Sequence, residues 1–298
     1  TRARTAGRLS GSRWAQLLAA LAAGADADAR SLAAECGVSA PAVRAALLPQ
    51  VEPAAAPTPQ SPPSIRCLGQ FRLSTPVGEV GLAGLKPRCQ ELLRLLAAQA
   101  GRTVHREEIV AALWPEAEVG AGMHNLHTAV SALRRFLDDA VGREGLVVRE
   151  GAGYRLASEL VTLDVLTFAA ALSDARAAAG EADRETALRT ALAAYGGELL
   201  AGEGAAEWLV QARQELRVEY VDAAVTLARL QLADGRPRDA AQACHAGLRA
   251  DRYRDELWRV LIEALARSDD PAASARARRG YEAVLAELGV SHDPVPTG

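Results

Sequence analysis

The chain contains one lysine, Lys86, four scattered cysteines and no long apolar run. The longest apolar stretches, such as LLAALAA and LVTL, stop well short of the roughly 18 residues of a membrane-spanning helix, so no membrane association is expected. Because Lys86 is followed by Pro87, no GxxxxGK[ST] loop exists to cradle nucleotide phosphates. HExxH, GxSxG, CxxC and paired-carboxylate arrangements are missing as well, so no catalytic residues and no cofactor are expected. Cys36, Cys67, Cys89 and Cys244 lie too far apart for a secretory framework or a metal half-site, and read as reduced thiols of a cytoplasmic protein. His124 and His127 share a helical spacing but have no second ligand pair, so no metal is expected. The Arg-rich start TRARTAGRLSGSRW lacks a signal-peptide core, and Thr1 in place of Met is expected of a fragment.

What remains is 298 residues with 49% apolar composition, enough for two or three packed domains, and a formal charge of −3. Any nucleic-acid contact must therefore come from a local basic surface. Residues 1–51 read as a small helical unit of three short helices. Within it AAECGVSAPAV has helix-turn-helix spacing with Gly37 at the turn, either a second DNA-binding unit or the remnant of a larger upstream domain. The Pro-rich segment 52–64 reads as an extended linker.

From residue 65 the period changes. IRCLGQFRL alternates at Ile65, Cys67, Phe71 and Leu73, and GEVGLAG follows, which predicts short strands. Helical spacing over Lys86 to Phe136 predicts three helices, and GLVVREGAGYRLAS predicts a hairpin around Gly-Ala-Gly. Strands, three helices and a hairpin make 65–158 a winged helix-turn-helix domain. From Val161 no strand signal is left, and 159–294 reads as all-helical. Leu227 and Leu261, Pro237 and Pro271, and Ala241 and Ala275 each repeat 34 residues apart, the tetratricopeptide period. The fold class is thus mainly α with small antiparallel sheets, a winged helix followed by tetratricopeptide-like helical hairpins. The two halves read as separate packed units, so a cut near residue 160 is expected to leave DNA binding intact.

In AGMHNLHTAVSALRRFLDDA one helix face is apolar at Leu126, Val130, Leu133 and Leu137. The opposite face carries His124, His127, Thr128, Ser131, Arg134 and Arg135, with no acidic residue from Ala121 to Leu137. A helix of this width fits the DNA major groove. Asn125, His127, Thr128, Ser131, Arg134 and Arg135 form the expected contact set, the arginines on phosphates and Thr128 and Ser131 on base edges. Arg149 and Arg155 flank the hairpin as a wing, while Lys86 and Arg106 lie near helix starts and approach the DNA backbone. Trp114, Trp208 and Trp258 sit on apolar stripes and read as core.

These segments carry a family resemblance. GEVGLAGLKPRCQELLRLLAAQAGRTVHREEIVAALWPE, NLHTAVSALRRFL and REGAGYRL resemble the OmpR-type winged helix of Streptomyces antibiotic regulatory proteins and their AfsR-like relatives. YGGELLAGEGAAEWLVQARQEL, RDELWRVLIEAL and LAELGVSHDP are similar to recurring stretches of the bacterial transcriptional activation domain that follows in that family. The resemblance implies a cytoplasmic activator whose partners are duplex promoter DNA, the sigma and alpha subunits of RNA polymerase, and a second copy of itself on repeated sites. The chain departs from the pattern at Ala132 and His127, where the family often has arginine, and at His105, where a Ser or Thr usually caps the second helix. The rival classes are a tetratricopeptide-like interaction scaffold and a signal-sensing regulator, each without direct specific DNA binding.

Overall fold

The first strands form where the alternation is clearest. In the computed structural model, which describes residues 62–99, 101–204 and 207–290, β1 (Ser64–Arg66), β2 (Arg72–Thr75) and β3 (Gly78–Val80) make an antiparallel meander. Ile65 faces Leu73 across the first pair, and both are buried. Gly69 turns the chain at φ 106°, a conformation that a residue with a Cβ rarely adopts. Helix α1 (Pro87–Ala98) starts with Pro87, whose missing N–H falls where no helical bond is needed. It buries Leu92, Leu93 and Leu96 completely.

A two-residue strand β4 (Val104–His105) leads into α2 (Arg106–Leu113) and then the long α3 (Val119–Val141). Gly142 ends α3 in the left-handed region at φ 66°, its N–H closing on the Asp138 carbonyl. The hairpin of β5 (Val147–Glu150) and β6 (Gly153–Leu156) turns at Gly151 and joins β4 in the order β4-β6-β5.

The expectation that strand ends at Val161 is corrected at the next residue. Thr162–Leu163 forms β7, which pairs in parallel with β1, Ile65 facing Leu163, and completes a sheet of order β3-β2-β1-β7. Two residues cannot show an alternation, and β7 is a strand because β1 offers it an unpaired edge. The linker reading of 52–64 is corrected at its end too, since Ser64 lies in β1 and the Pro63 carbonyl accepts the Thr162 N–H at 2.9 Å. The readings of residues 1–51 and 52–61 fall outside the described residues.

Helices α4 (Asp164–Ala177), α5 (Glu181–Ala194), α6 (Glu207–Ala233), α7 (Pro237–Ala250), α8 (Asp255–Arg267) and α9 (Pro271–Glu287) follow, each packed on the next. Pro237 and Pro271 both open second helices of a hairpin, and Leu227 and Leu261 are both buried in first helices. Ala241 is buried and Ala275 half-buried. Gly247 permits the close approach of three helices, for a Cβ there would lie 2.6 Å from Leu257 Cδ1 and 3.0 Å from Ala224 Cβ.

One hydrophobic core runs without interruption from Ile65 to Tyr281, so the halves on either side of residue 160 do not bury separate cores. The junction is also polar. The Asp164 carboxylate, at the first turn of α4, accepts the N–H of Cys67 at 2.8 Å and of Leu68 at 2.8 Å, besides that of Val165 at 2.9 Å. Further on, Leu199 bridges Leu68, the Leu200 N–H reaches the Cys67 carbonyl at 2.7 Å, and Ala201 N–H and Glu198 carbonyl both bond Gly69 at 2.9 Å. Cys67, Cys89 and Cys244 are buried free thiols, and burial pushes that of Cys244 up to about 12.

Candidate nucleic-acid interface

The inner face of α3 packs Leu126, Ala129, Val130, Leu133 and Leu137 into the core. Its approach to α2 depends on a glycine that the sequence reading passed over. A Cβ on Gly122 would stand 2.5 Å from Val110 Cγ1, so glycine lets the two helices close into a helix-turn-helix. The available signal was a glycine inside a helical pattern, which usually marks such a contact.

The outer face of α3 exposes His124, Asn125, His127, Thr128, Ser131 and Arg135. Positions 124, 127, 128, 131 and 135 fall on one stripe, about 16 Å long at the helical rise. The hydroxyls on this stripe have their protons engaged. Thr128 Oγ1 donates to the His124 carbonyl at 3.0 Å and Ser131 Oγ to the His127 carbonyl at 2.9 Å, which leaves oxygen lone pairs facing outward. Arg135 is exposed, with a long 3.4 Å bond from Nε to the Ser131 carbonyl.

Two arginines expected on DNA are engaged within the protein. Arg134 is half-buried and its Nε donates to the Val147 carbonyl at 2.9 Å, so it fastens the hairpin to α3 rather than standing outward. Arg155 has only 22% of its side chain exposed and pairs with Glu150 at 3.2 Å and Glu159 at 3.1 Å. The hydrogen bond from Arg155 holds the Glu159 carboxyl below its ordinary range, and the same pair raises the guanidinium. Two carboxylates therefore neutralise a charge that sequence spacing had offered to phosphate. Glu150 sits five residues before Arg155 and Glu159 four after, but their convergence requires the hairpin and the turn beyond it.

The remaining basic positions differ in their freedom. Arg149 is exposed on β5, across from Tyr154. Lys86 is exposed at the N-cap of α1. Arg106, the first residue of α2, is half-buried with its Nε enclosed and unpartnered among the described residues, and its backbone N–H bonds the Ala152 carbonyl in the wing turn. His105 caps α2 by accepting the Glu107 N–H at 3.4 Å, a long bond in keeping with its low rank as a cap. Ala132 is half-buried against the core. Trp114, Trp208 and Trp258 also pack partly buried against it.

The wing is joined to the body where β6 meets β4, and Gly153 allows the contact. A Cβ there would fall 2.4 Å from the Val104 carbonyl oxygen and 2.7 Å from Thr103 Cγ2, and the backbone oxygen cannot rotate away as a side chain would. Gly153→Ala is expected to destabilise the protein by about 2 kcal/mol, since a strand must shift to admit one methyl. Urea unfolding measures it, and a change under about 0.5 kcal/mol, typical of inert surface sites, would mean that β4 yields freely.

Comparison with known proteins agrees with this architecture. Residues 82–156 match the family "Transcriptional regulatory protein, C terminal" and residues 163–297 the "Bacterial transcriptional activator domain". The chain is 26% identical over 239 residues to the transcriptional regulatory protein MoaR1 of Mycobacterium tuberculosis, covering 76% of each. It is 31% identical over 231 residues to the regulatory protein AfsR of Streptomyces coelicolor, covering 72% of this chain and 21% of AfsR. With the transcriptional regulatory protein EmbR of M. tuberculosis it shares 30% over 217 residues, 71% of this chain and 55% of EmbR. The chain thus spans three-quarters of MoaR1 but only about half of EmbR and a fifth of AfsR. The solved structure of M. tuberculosis EmbR in complex with a low affinity phosphopeptide shares the fold, with a TM-score of 0.62 at 24% identity over 78% of this chain and 62% of that one. The chain thus carries, in succession, matches to the OmpR-type domain of transcriptional regulators and to the bacterial transcriptional activator domain, and it is similar over most of its length to proteins named as transcriptional regulators.

Proposed function

We propose that this regulator activates transcription by laying α3 in the major groove of duplex promoter DNA, with the β5–β6 hairpin beside it on the backbone, while the helical half holds RNA polymerase. The observation that carries the reading is the exposed stripe from His124 to Arg135, which has polar and basic side chains and no carboxylate. An acid-free face of this length meets the polyanion without repulsion, although the chain as a whole is negative. Because Thr128 and Ser131 spend their protons on the helix backbone, they read bases as acceptors, and so favour the amino groups of adenine and cytosine.

Phosphate contacts fall to Arg135, Arg149 and Lys86, with Arg134 and Arg155 largely withdrawn. So short a set of charges favours modest affinity at one site, and a second copy on a repeated site supplies the remainder. For the helical half, the support is its match to the activator domain family. Contacts to the sigma and alpha subunits follow from the family resemblance.

Fluorescence anisotropy on promoter fragments across a salt series tests the reading. Arg135→Ala with Arg149→Ala is expected to lower the slope of log K against log salt by about 1.8, near 0.9 for each phosphate no longer neutralised. Thr128→Ala or Ser131→Ala is expected to alter which sequences are selected, by about 1–3 kcal/mol per base pair read. Wild-type protein that binds no fragment above the level of random duplex would instead favour an interaction scaffold. Transcription with purified polymerase from a bound fragment, rising with added protein, tests recruitment.

A further inference from the structure

Away from α3, the helical half contains an open cleft of about 430 Å3 between α6, α7 and the turn after α5. Its size falls within the range of small-molecule sites, about 300–1,000 Å3. Tyr195 and Tyr220 form one wall, their rings stacked with centroids 4.1 Å apart and planes 18° from parallel. Both side chains are almost wholly buried, yet neither hydroxyl is hydrogen-bonded among the described residues. Neither hydroxyl oxygen is itself enclosed, so both reach the open cleft and can donate to an acceptor from outside.

The other groups in the cleft suit the same acceptor. Arg217 and Arg249 line it, and Arg249 is exposed with no ion pair among the described residues. Burial pushes the Tyr195 phenol up to about 12, with Glu198 adding to the rise, and burial also raises Tyr220. Both hydroxyls therefore stay protonated and act as donors. Two guanidinium groups and two phenols outnumber the single carboxylate, Glu198, which is suited to accept from a hydroxyl or an amine.

The cleft is also built into the junction between the halves. Glu198 lines it, and its carbonyl accepts the Gly69 N–H at 2.9 Å from the β1–β2 turn. Gly196, another lining residue, lies so close to that turn that a Cβ would meet the Leu68 carbonyl oxygen at 2.7 Å. A ligand held by the cleft presses on a loop with little room to move independently of the winged half.

We propose that this cleft is a binding site for a small organic oxyanion that also carries a hydroxyl or amine, and that its occupancy is felt at the β1–β2 turn of the winged half. The site stands whether or not α3 binds DNA. Isothermal titration calorimetry on the full chain at physiological ionic strength provides the test, with citrate as the carboxylate probe, glycerol 3-phosphate as the phosphate probe and glycerol as the neutral control. Saturable one-site binding of one anion is expected with Kd below about 1 mM, with none for glycerol. Arg249→Gln, on an exposed side chain, and Tyr220→Phe, which keeps the buried ring, are each expected to weaken it about tenfold. Hydrogen exchange over residues 64–71 is expected to slow in the bound form. Failure of both anions to bind below about 1 mM overturns the site, and so does binding that survives both substitutions. Binding with unchanged exchange over 64–71 overturns the transmission.

Discussion

A fragment ending at residue 160 is expected to unfold far more readily than the full chain, and to lose DNA binding through instability although every residue of α3 and the hairpin is present. The cut removes β7, the parallel partner of β1, and the loop that bridges Leu68 through Leu199. It also strips α4 from the face of β1, leaving Ile65 and Leu68 open to water. Exposing two such side chains costs about 3–6 kcal/mol. The whole stability of a domain is only about 5–15 kcal/mol, and a fragment of this size lies at the low end. Circular dichroism melts of residues 62–160 and of the full chain provide the measurement. A cooperative melt of the fragment within a few degrees of the full chain would show that the winged half holds its own core. This reverses the expectation drawn from the apparent separateness of the two halves in the sequence.

Asp164→Ala is expected to cost about 2–5 kcal/mol in the full chain, because it leaves the Cys67 and Leu68 N–H groups without their acceptor at the junction. Asp164→Asn retains one acceptor oxygen and is expected to cost less. The carboxylate also has a pH signature. Burial raises the Asp164 pKa above its ordinary value, and the backbone donors Cys67, Leu68 and Val165 offset part of that rise. For an acid whose folded pKa is raised, the stabilising contribution is fully present below the unfolded value of 3.8 and is lost as pH rises through the folded value. The stability of wild type relative to Asp164→Asn should therefore increase as pH is lowered through that window. Urea midpoints compared pairwise across acidic pH measure it, and a difference that shrinks on acidification would assign the dominant influence to the backbone donors.

Local chemistry was enough to read most elements. The alternation at Ile65 and Leu73, the helical spacing of Leu126, Val130, Leu133 and Leu137, and the Gly-Ala-Gly turn each express one period or one backbone conformation, which neighbouring residues dictate. Pro237 and Pro271 marked helix starts for the same reason, since an absent N–H is tolerated only in the first turn. The polar face of α3 was legible because burial of its apolar face leaves the other outside wherever the helix docks.

The amino-acid sequence by itself determined that an acid-free amphipathic helix is followed by a hairpin and then by repeated helical pairs, and its motifs carried the family resemblance. Tertiary structure alone decided which arginines are free. Arg134, Arg135, Arg149 and Arg155 look alike in sequence, but the fold brings the Val147 carbonyl to the first and two carboxylates to the last, leaving Arg135 and Arg149 exposed. It also decided that the halves share one core, through a two-residue strand too short to have a period and an aspartate whose partners lie 97 and 96 positions away. Periodicity reports what a residue's neighbours along the chain require. A charge becomes committed, or a strand finds its edge, only when distant segments meet, and that information resides in the packing.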